Sequence, residues 1–461
     1  MTGVPASRTA SPSAPDTVGS RRVLILGLAG LAAFSAFFLI RPLFGPDPYG
    51  PRPAGTTYAY SFLVVAAFVP YAAAVWAVRR GVSLRVAIAG TILLHGLLLP
   101  AALTQSQDLY MYLFYGKMWA VHGANPYLVE PQAFRTDAWF PWVRWPDQPT
   151  VYGPLWTMVT AVPAGLASGS LSAAFALAKT VAALLGVASA AGLVAACRGR
   201  GEPAGPRLVL LAWNPVILVS LPLGGHADIA VVAGVLWAVV ADRRGRPVVA
   251  TALLTAASLV KAYAALVLLV YLICLARRGK ALWASAGAAV GLTVAAFAPF
   301  WQGWRTLRGV GEVSAQASAS LAGELQRALQ GPLGETPSAA LVRVGGLVVV
   351  VLVIMLHARS PTFREDPWPA AAAAFLAYFL VTPWFLYWHQ AGLLALAAAA
   401  ATVSVRASAY TFSATSMLTA SLGGSPWGRG LQAALRYGPP LALLGRRRIS
   451  SRRVSSTPAS R

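Results

Sequence analysis

The stretch VAIAGTILLHGLLLPAALTQSQDLYMYLFY, residues 86–115, decides the fold. Its first part, 86–104, contains no Asp, Glu, Lys or Arg. An uncharged apolar run of about 20 residues is the length that crosses the hydrocarbon core of a bilayer. Asp108 then arrives among Tyr110, Tyr112 and Tyr115, at the mouth of the run. Similar runs recur along all 461 residues, of which 57% are hydrophobic and only 11% charged. A soluble chain would carry roughly a quarter charged residues. The mean hydropathy is +0.62. The runs are continuous, not alternating, which excludes a β-barrel. The expectation is an all-α, polytopic integral membrane protein with about 12–14 transmembrane helices.

A net charge of +23 raises the question of nucleic acid. The distribution answers it. Arginines gather in short loops (Arg79, Arg80, Arg85; Arg243, Arg244, Arg246; Arg277, Arg278 with Lys280) and in RRRISSRR, 446–453. That is the positive-inside pattern. Residues 446–461 read as a basic cytoplasmic tail against anionic lipid head groups. The chain has 33 Arg and 4 Lys and is rich in Ala, which points to a GC-rich bacterial genome and a plasma-membrane protein. Cys197 and Cys274 imply no disulfide framework. Residues 1–20 read as a disordered cytoplasmic N-terminus. Arg21 and Arg22 then lead into a retained first helix, not a cleaved signal.

With the N-terminus inside, the expected spans are 23–44, 57–78 and 86–104, followed by a long extracytoplasmic loop, 105–150. A half-helix or interfacial helix follows at 152–168, then a span at 171–197. A hairpin of 207–222 and 226–241 carries GGHAD (224–228) at its outer tip, and a second, 247–259 and 262–276, carries Lys261 at its own. Span 281–300 leads to a second outer loop, 301–337, in which 311–330 reads as an interfacial helix. Spans near 338–358, 367–382, 385–404, 407–421 and 430–444 complete a membrane domain over 21–445. Charge placement alone puts Asp108, His226, Asp228, Lys261 and His389 at the outer face.

Asp108, Tyr112 and Tyr115 share one helical face. A carboxylate shielded by aromatics has a raised pKa and can serve as a general base; the alternative is a helix cap. GANPY (123–127), with Asn125 and Tyr127, reads as a turn. The aromatic loop AWFPWVRWPDQP (138–149) suits either the membrane interface or the faces of sugars. His226 and Asp228 fit a hydroxyl-rich ligand or a capped hairpin, and are too few for a metal site. Lys261 either snorkels or holds a phosphate. His389 sits with four aromatics in PWFLYWHQ (383–390), and His95 reads as bonding a neighbouring helix.

QDLYMYLFYG, GANPY, YGPLW with Tyr152, WNP, GGHAD, SLVK and TPWFLYW, in this order, resemble the polyprenyl-phosphate-sugar-dependent glycosyltransferases of the GT-C fold. They are most similar to the bacterial mannosyltransferases that use polyprenol-phosphate-mannose. The resemblance covers most of residues 20–420. It implies that Asp108, the acidic residue of the first large outer loop, is the catalytic base. It also implies a lipid-linked sugar donor as co-substrate, a glycan or glycolipid acceptor, and neither metal nor other cofactor. Lys261, with Arg305, would hold the leaving phosphate. The competing class is a transporter or lipid flippase, with the charged residues lining a path.

Overall fold

The structure, a computed structural model, describes residues 17–40, 62–103, 106–279, 281–309, 317–318, 320–419 and 426–454. Among these residues every regular element is helical. Three helices are long and apolar enough to cross a bilayer: α1 (Val18–Ile40 within Thr17–Ile40), the helix Leu171–Arg198 and the helix Glu335–Ala358. Six shorter apolar helices accompany them, among them Phe62–Val78, Leu84–Leu98, Pro154–Leu166 and Pro247–Ser258.

Several expected boundaries move. Helix α1 already begins at Thr17, so residues 17–20 are helical; 41–44 and 57–61 lie outside the described residues, as does most of 311–319. The span expected at 207–222 is two pieces, Ala204–Ala212 and Pro215–Leu223, bent by 60°. Pro215 has no N–H to continue the ladder. Asn214 restarts the chain as an N-cap, accepting from the Val216 N–H at 2.9 Å. The span expected at 385–404 reduces to Ala391–Ala400, preceded by a 3-10 turn over Tyr387–Gln390. The last helix, Pro426–Val454, runs on through most of the expected tail. The segment expected as the first outer loop is itself ordered: it holds the helix Asp108–Ala120 and two 3-10 turns, Pro131–Phe134 and Phe140–Trp142. His95 does bond a neighbour, its Nε2 lying 2.9 Å from the Ala212 carbonyl.

The helices Asp228–Arg243 and Ala391–Ala400 form the centre of the bundle, the second buried along its whole length. Asp228–Arg243 packs against Leu171–Arg198, Pro247–Ser258 and Ala391–Ala400, and Asp108–Ala120 lies on Pro154–Leu166. Gly153 joins the segment 121–153 to this frame. Its N–H donates to the Val260 carbonyl at 3.0 Å, and the Leu155 N–H to the Leu259 carbonyl at 3.1 Å. A Cβ at 153 would stand 1.9 Å from the Leu259 oxygen, so only glycine lets the two backbones meet. Gly153→Ala must force this junction apart. A loss of about 1–3 kcal/mol is expected, read as a lower unfolding midpoint in detergent. An unchanged midpoint would show that the junction holds nothing.

Candidate active site

Asp108 is the first residue of its helix, and its backbone N–H is held by the Ser106 hydroxyl at 3.1 Å. The side chain is turned inward and only 5% exposed. Its Oδ2 lies 3.4 Å from Nδ1 of His226 and 3.4 Å from the Tyr112 hydroxyl. The histidine contact is at ion-pair distance without hydrogen-bond alignment, since Nδ1 makes no hydrogen bond. Burial alone pushes the Asp108 carboxyl up. His226, the Lys261 charge and Ser106 outweigh it and hold the group at about 2. The raised pKa expected from aromatic shielding is therefore corrected: the aromatics are present, but nearby donors and positive charge win.

His226 reaches Asp108 because the chain reverses sharply before it. Gly225 has φ +63°, which favours glycine, and packs against Leu109. The imidazole is stacked on Trp388, ring centres 4.4 Å apart.

The second carboxylate, Asp228, is wholly buried at the start of the central helix. Its Oδ2 lies 3.0 Å from the Lys261 ammonium, and Tyr263 donates a hydrogen bond to Oδ1. Lys261 is thus not a lone cation, snorkelling or otherwise: it is buried and ion-paired. It also stands 5.6 Å above the ring of Tyr152, which meets Tyr112 edge-on at 4.5 Å. His389 completes the group, its ring centre 5.8 Å from that of Tyr263.

Asp108, Tyr112, Tyr152, His226, Asp228, Lys261 and His389 therefore converge. Tyr115, Asn125 and Tyr127 face elsewhere. The Tyr115 hydroxyl donates to the Gln148 carbonyl at 2.9 Å. Asn125 donates to the Phe300 carbonyl at 2.8 Å, and the Tyr127 hydroxyl to the Tyr152 carbonyl at 2.8 Å. These three hold the loop that carries Tyr152. Arg305 is exposed in the turn Arg305–Leu307. The aromatic loop is mostly packing: Trp139 lies 4.2 Å beneath the Lys117 ammonium, and Trp142 is 5.0 Å from Tyr110. Lys117 also pairs with Asp137 at 2.8 Å, and His122 reaches the same oxygen at 2.8 Å. Burial raises the Asp137 carboxyl, but Lys117, the Trp139 N–H and His122 outweigh it and lower it.

Sequence reasoning missed Tyr263, Trp388 and Lys179. Tyr263 follows Lys261 by two residues in SLVKAYA, and Trp388 adjoins His389, so proximity to a chosen residue was the available signal. Among the described residues no three His, Cys, Asp or Glu side chains are grouped to hold a metal.

Removing Lys261 strands the buried Asp228 carboxylate. Breaking a buried pair in this way costs about 3–5 kcal/mol. Lys261→Met should therefore unfold well below wild type in detergent, and adding Asp228→Asn should restore much of the loss. Equal midpoints for wild type and Lys261→Met would show that the pair carries no weight.

No curated protein and no solved structure matches the chain. The family model described as "Alpha-(1->6)-mannopyranosyltransferase, N-terminal domain" matches residues 46–277, a segment that takes in Asp108, Tyr152, His226, Asp228 and Lys261. With just over half of its length so matched, the chain belongs to the alpha-(1->6)-mannopyranosyltransferase family and is a glycosyltransferase.

Proposed function

We propose that the chain moves a mannosyl residue from a polyprenyl-phosphate carrier to a hydroxyl of a glycan or glycolipid, with inversion, at the outer face of a bacterial cell membrane. The observation that carries this reading is the buried Asp108 carboxylate, held ionised beside His226 and next to the Asp228–Lys261 pair. In one step the acceptor hydroxyl gives its proton to Asp108, its oxygen bonds to the anomeric carbon, and the bond from that carbon to the phosphate oxygen breaks. One base suffices for such a displacement, unlike the paired carboxylates of retaining hydrolases. A carboxylate held at about 2 is a modest base, but it is ionised whenever the acceptor arrives. The proton becomes acidic only as the new bond forms, so strong basicity in the free enzyme is not required. The phosphate leaves with its charge, and the Lys261 ammonium is close enough to act on the Asp108 carboxylate. An ammonium has three donor directions. Asp228 Oδ2 stands 3.0 Å away as an ion pair without hydrogen-bond alignment, and Tyr263 occupies the other Asp228 oxygen, which leaves Lys261 donors for the phosphate.

The test is transfer of radiolabelled mannose from its lipid carrier in membranes. Asp108→Asn keeps the shape and cannot take the proton; a loss of about 10²–10⁴ in rate is expected. Activity within a few-fold of wild type would reduce Asp108 to a helix start. Because its pKa is depressed, Asp108 stabilises the fold above the ordinary carboxylate value of 3.8, and this is lost as pH falls through about 2. The pH profile of kcat/KM should accordingly show no step near about 4; such a step, abolished by Asp108→Asn, would show that the carboxylate is not held ionised.

Sidedness is tested separately. Glu130 lies in the outer loop and Arg244 at the far end of the central helix from Asp228. In intact cells Glu130→Cys should react with an impermeant thiol reagent and Arg244→Cys should not, both native cysteines being buried. The opposite labelling would place the site on the inner face and overturn the proposed orientation.

A further inference from the structure

Lys179 lies within the helix Leu171–Arg198, one of those long enough to cross a bilayer, and is 5% exposed. A lysine in such a segment is costly and persists where it serves something. Its ammonium donates to two backbone carbonyls, Pro222 at 2.6 Å and Leu223 at 2.7 Å, and lies 5.6 Å over the Phe175 ring.

The end of a helix leaves its last carbonyls without partners and gathers partial negative charge. Here the half-helix from Pro215 widens into a π-helical turn, Val219–Leu223, and stops. The returning chain satisfies three of its carbonyls: the N–H groups of Gly224, Gly225 and His226 donate to Val219, Leu221 and Ser220 at 3.0, 2.9 and 3.2 Å. Pro222 and Leu223 remain, and Lys179 supplies both. The carbonyls it holds immediately precede Gly224 and Gly225, and the next residue is the histidine that faces Asp108.

We infer that Lys179 is a positioning residue for the transfer reaction: by closing the helix end it sets the Gly224–Gly225 turn and so holds the His226 imidazole against Asp108. The inference rests on the proposed reaction. Its consequence is a loss in the chemical step rather than in donor binding, and the loss should vanish where His226 has no ring to place.

The experiment is a double-mutant cycle. Lys179→Met and Lys179→Arg are made in the full chain, with and without His226→Ala, and transfer kinetics are recorded with the ring ¹⁵N signal of His226, assigned by its absence in His226→Ala. Lys179→Met should lower kcat by about 10- to 100-fold with donor KM within about threefold. Its further effect in the His226→Ala background should be less than about twofold. Lys179→Arg, which keeps the charge and two donors, should recover part of kcat, and the His226 signal should shift in Lys179→Met. Equal losses in both backgrounds, or unchanged kcat, would overturn the inference. If the wild type transfers no mannose, the proposed reaction fails and the His226 signal decides alone: a shift in Lys179→Met upholds the positioning role, and no shift overturns it.

Discussion

Two carboxylates, Asp108 and Asp228, are buried at one end of a helical bundle, and the surrounding structure depends on keeping them ionised there. An unpaired buried charge costs several kcal/mol, and the group would sooner take up a proton. Each acid has therefore been given a different remedy. Asp228 has a lysine and a tyrosine phenol in direct contact. Asp108 has looser neighbours, His226 and Tyr112, both at 3.4 Å. Looseness at Asp108 suits a group whose partner must change during a reaction; tightness at Asp228 suits one whose partner need not.

The central helix repeats this device at its other end. Asp242, about 21 Å along the axis from Asp228 at 1.5 Å per residue, receives Arg278 at 2.5 and 3.4 Å, the Tyr271 hydroxyl at 2.9 Å and the Trp368 indole at 3.0 Å. Lys261 precedes the helix Ala265–Arg278 and Arg278 ends it, so this one segment is fastened to the central helix at both ends. The cations differ in kind. A guanidinium fits a carboxylate with two parallel donors and fixes its geometry, whereas an ammonium is a point charge whose donors can be reassigned. The far end is built as a fastener. Under the proposed function, the pairing at the Asp108 end can be shared with a ligand.

The helical class and several of the polar residues that the structure brings together were legible in the sequence because both rest on contrast: long uncharged runs, and polar residues standing out against them. Asp108, His226, Asp228 and Lys261 were found that way. Their pairing was not legible, because it depends on which helices pack together, and Lys261, read as snorkelling or holding a phosphate, is half of an ion pair. The pKa direction of Asp108 was misread for the same reason: local sequence shows its tyrosines, while His226 and Lys261 arrive from more than a hundred residues away. The break at Trp213–Asn214 had a local signal, Asn followed by Pro, but the apolar run around it reads as one span.

The lysines show how strongly the site shapes the sequence. The chain uses arginine 33 times and lysine four times. Lys280 lies outside the described residues; the other three are all buried, at 6%, 5% and 9% exposure for Lys117, Lys179 and Lys261. Lys117 ties the outer loop to the Asp108 helix through Asp137 and Trp139, Lys179 closes the helix end before His226, and Lys261 pairs with Asp228. A chain so biased toward arginine keeps lysine where the two are not equivalent. They are not equivalent where a compact ammonium points donors at two consecutive carbonyls or sits above an aromatic face. Lys179 and Lys261 mark the places where the GGHAD turn and the second hairpin are held, and Lys117 braces the helix that carries Asp108.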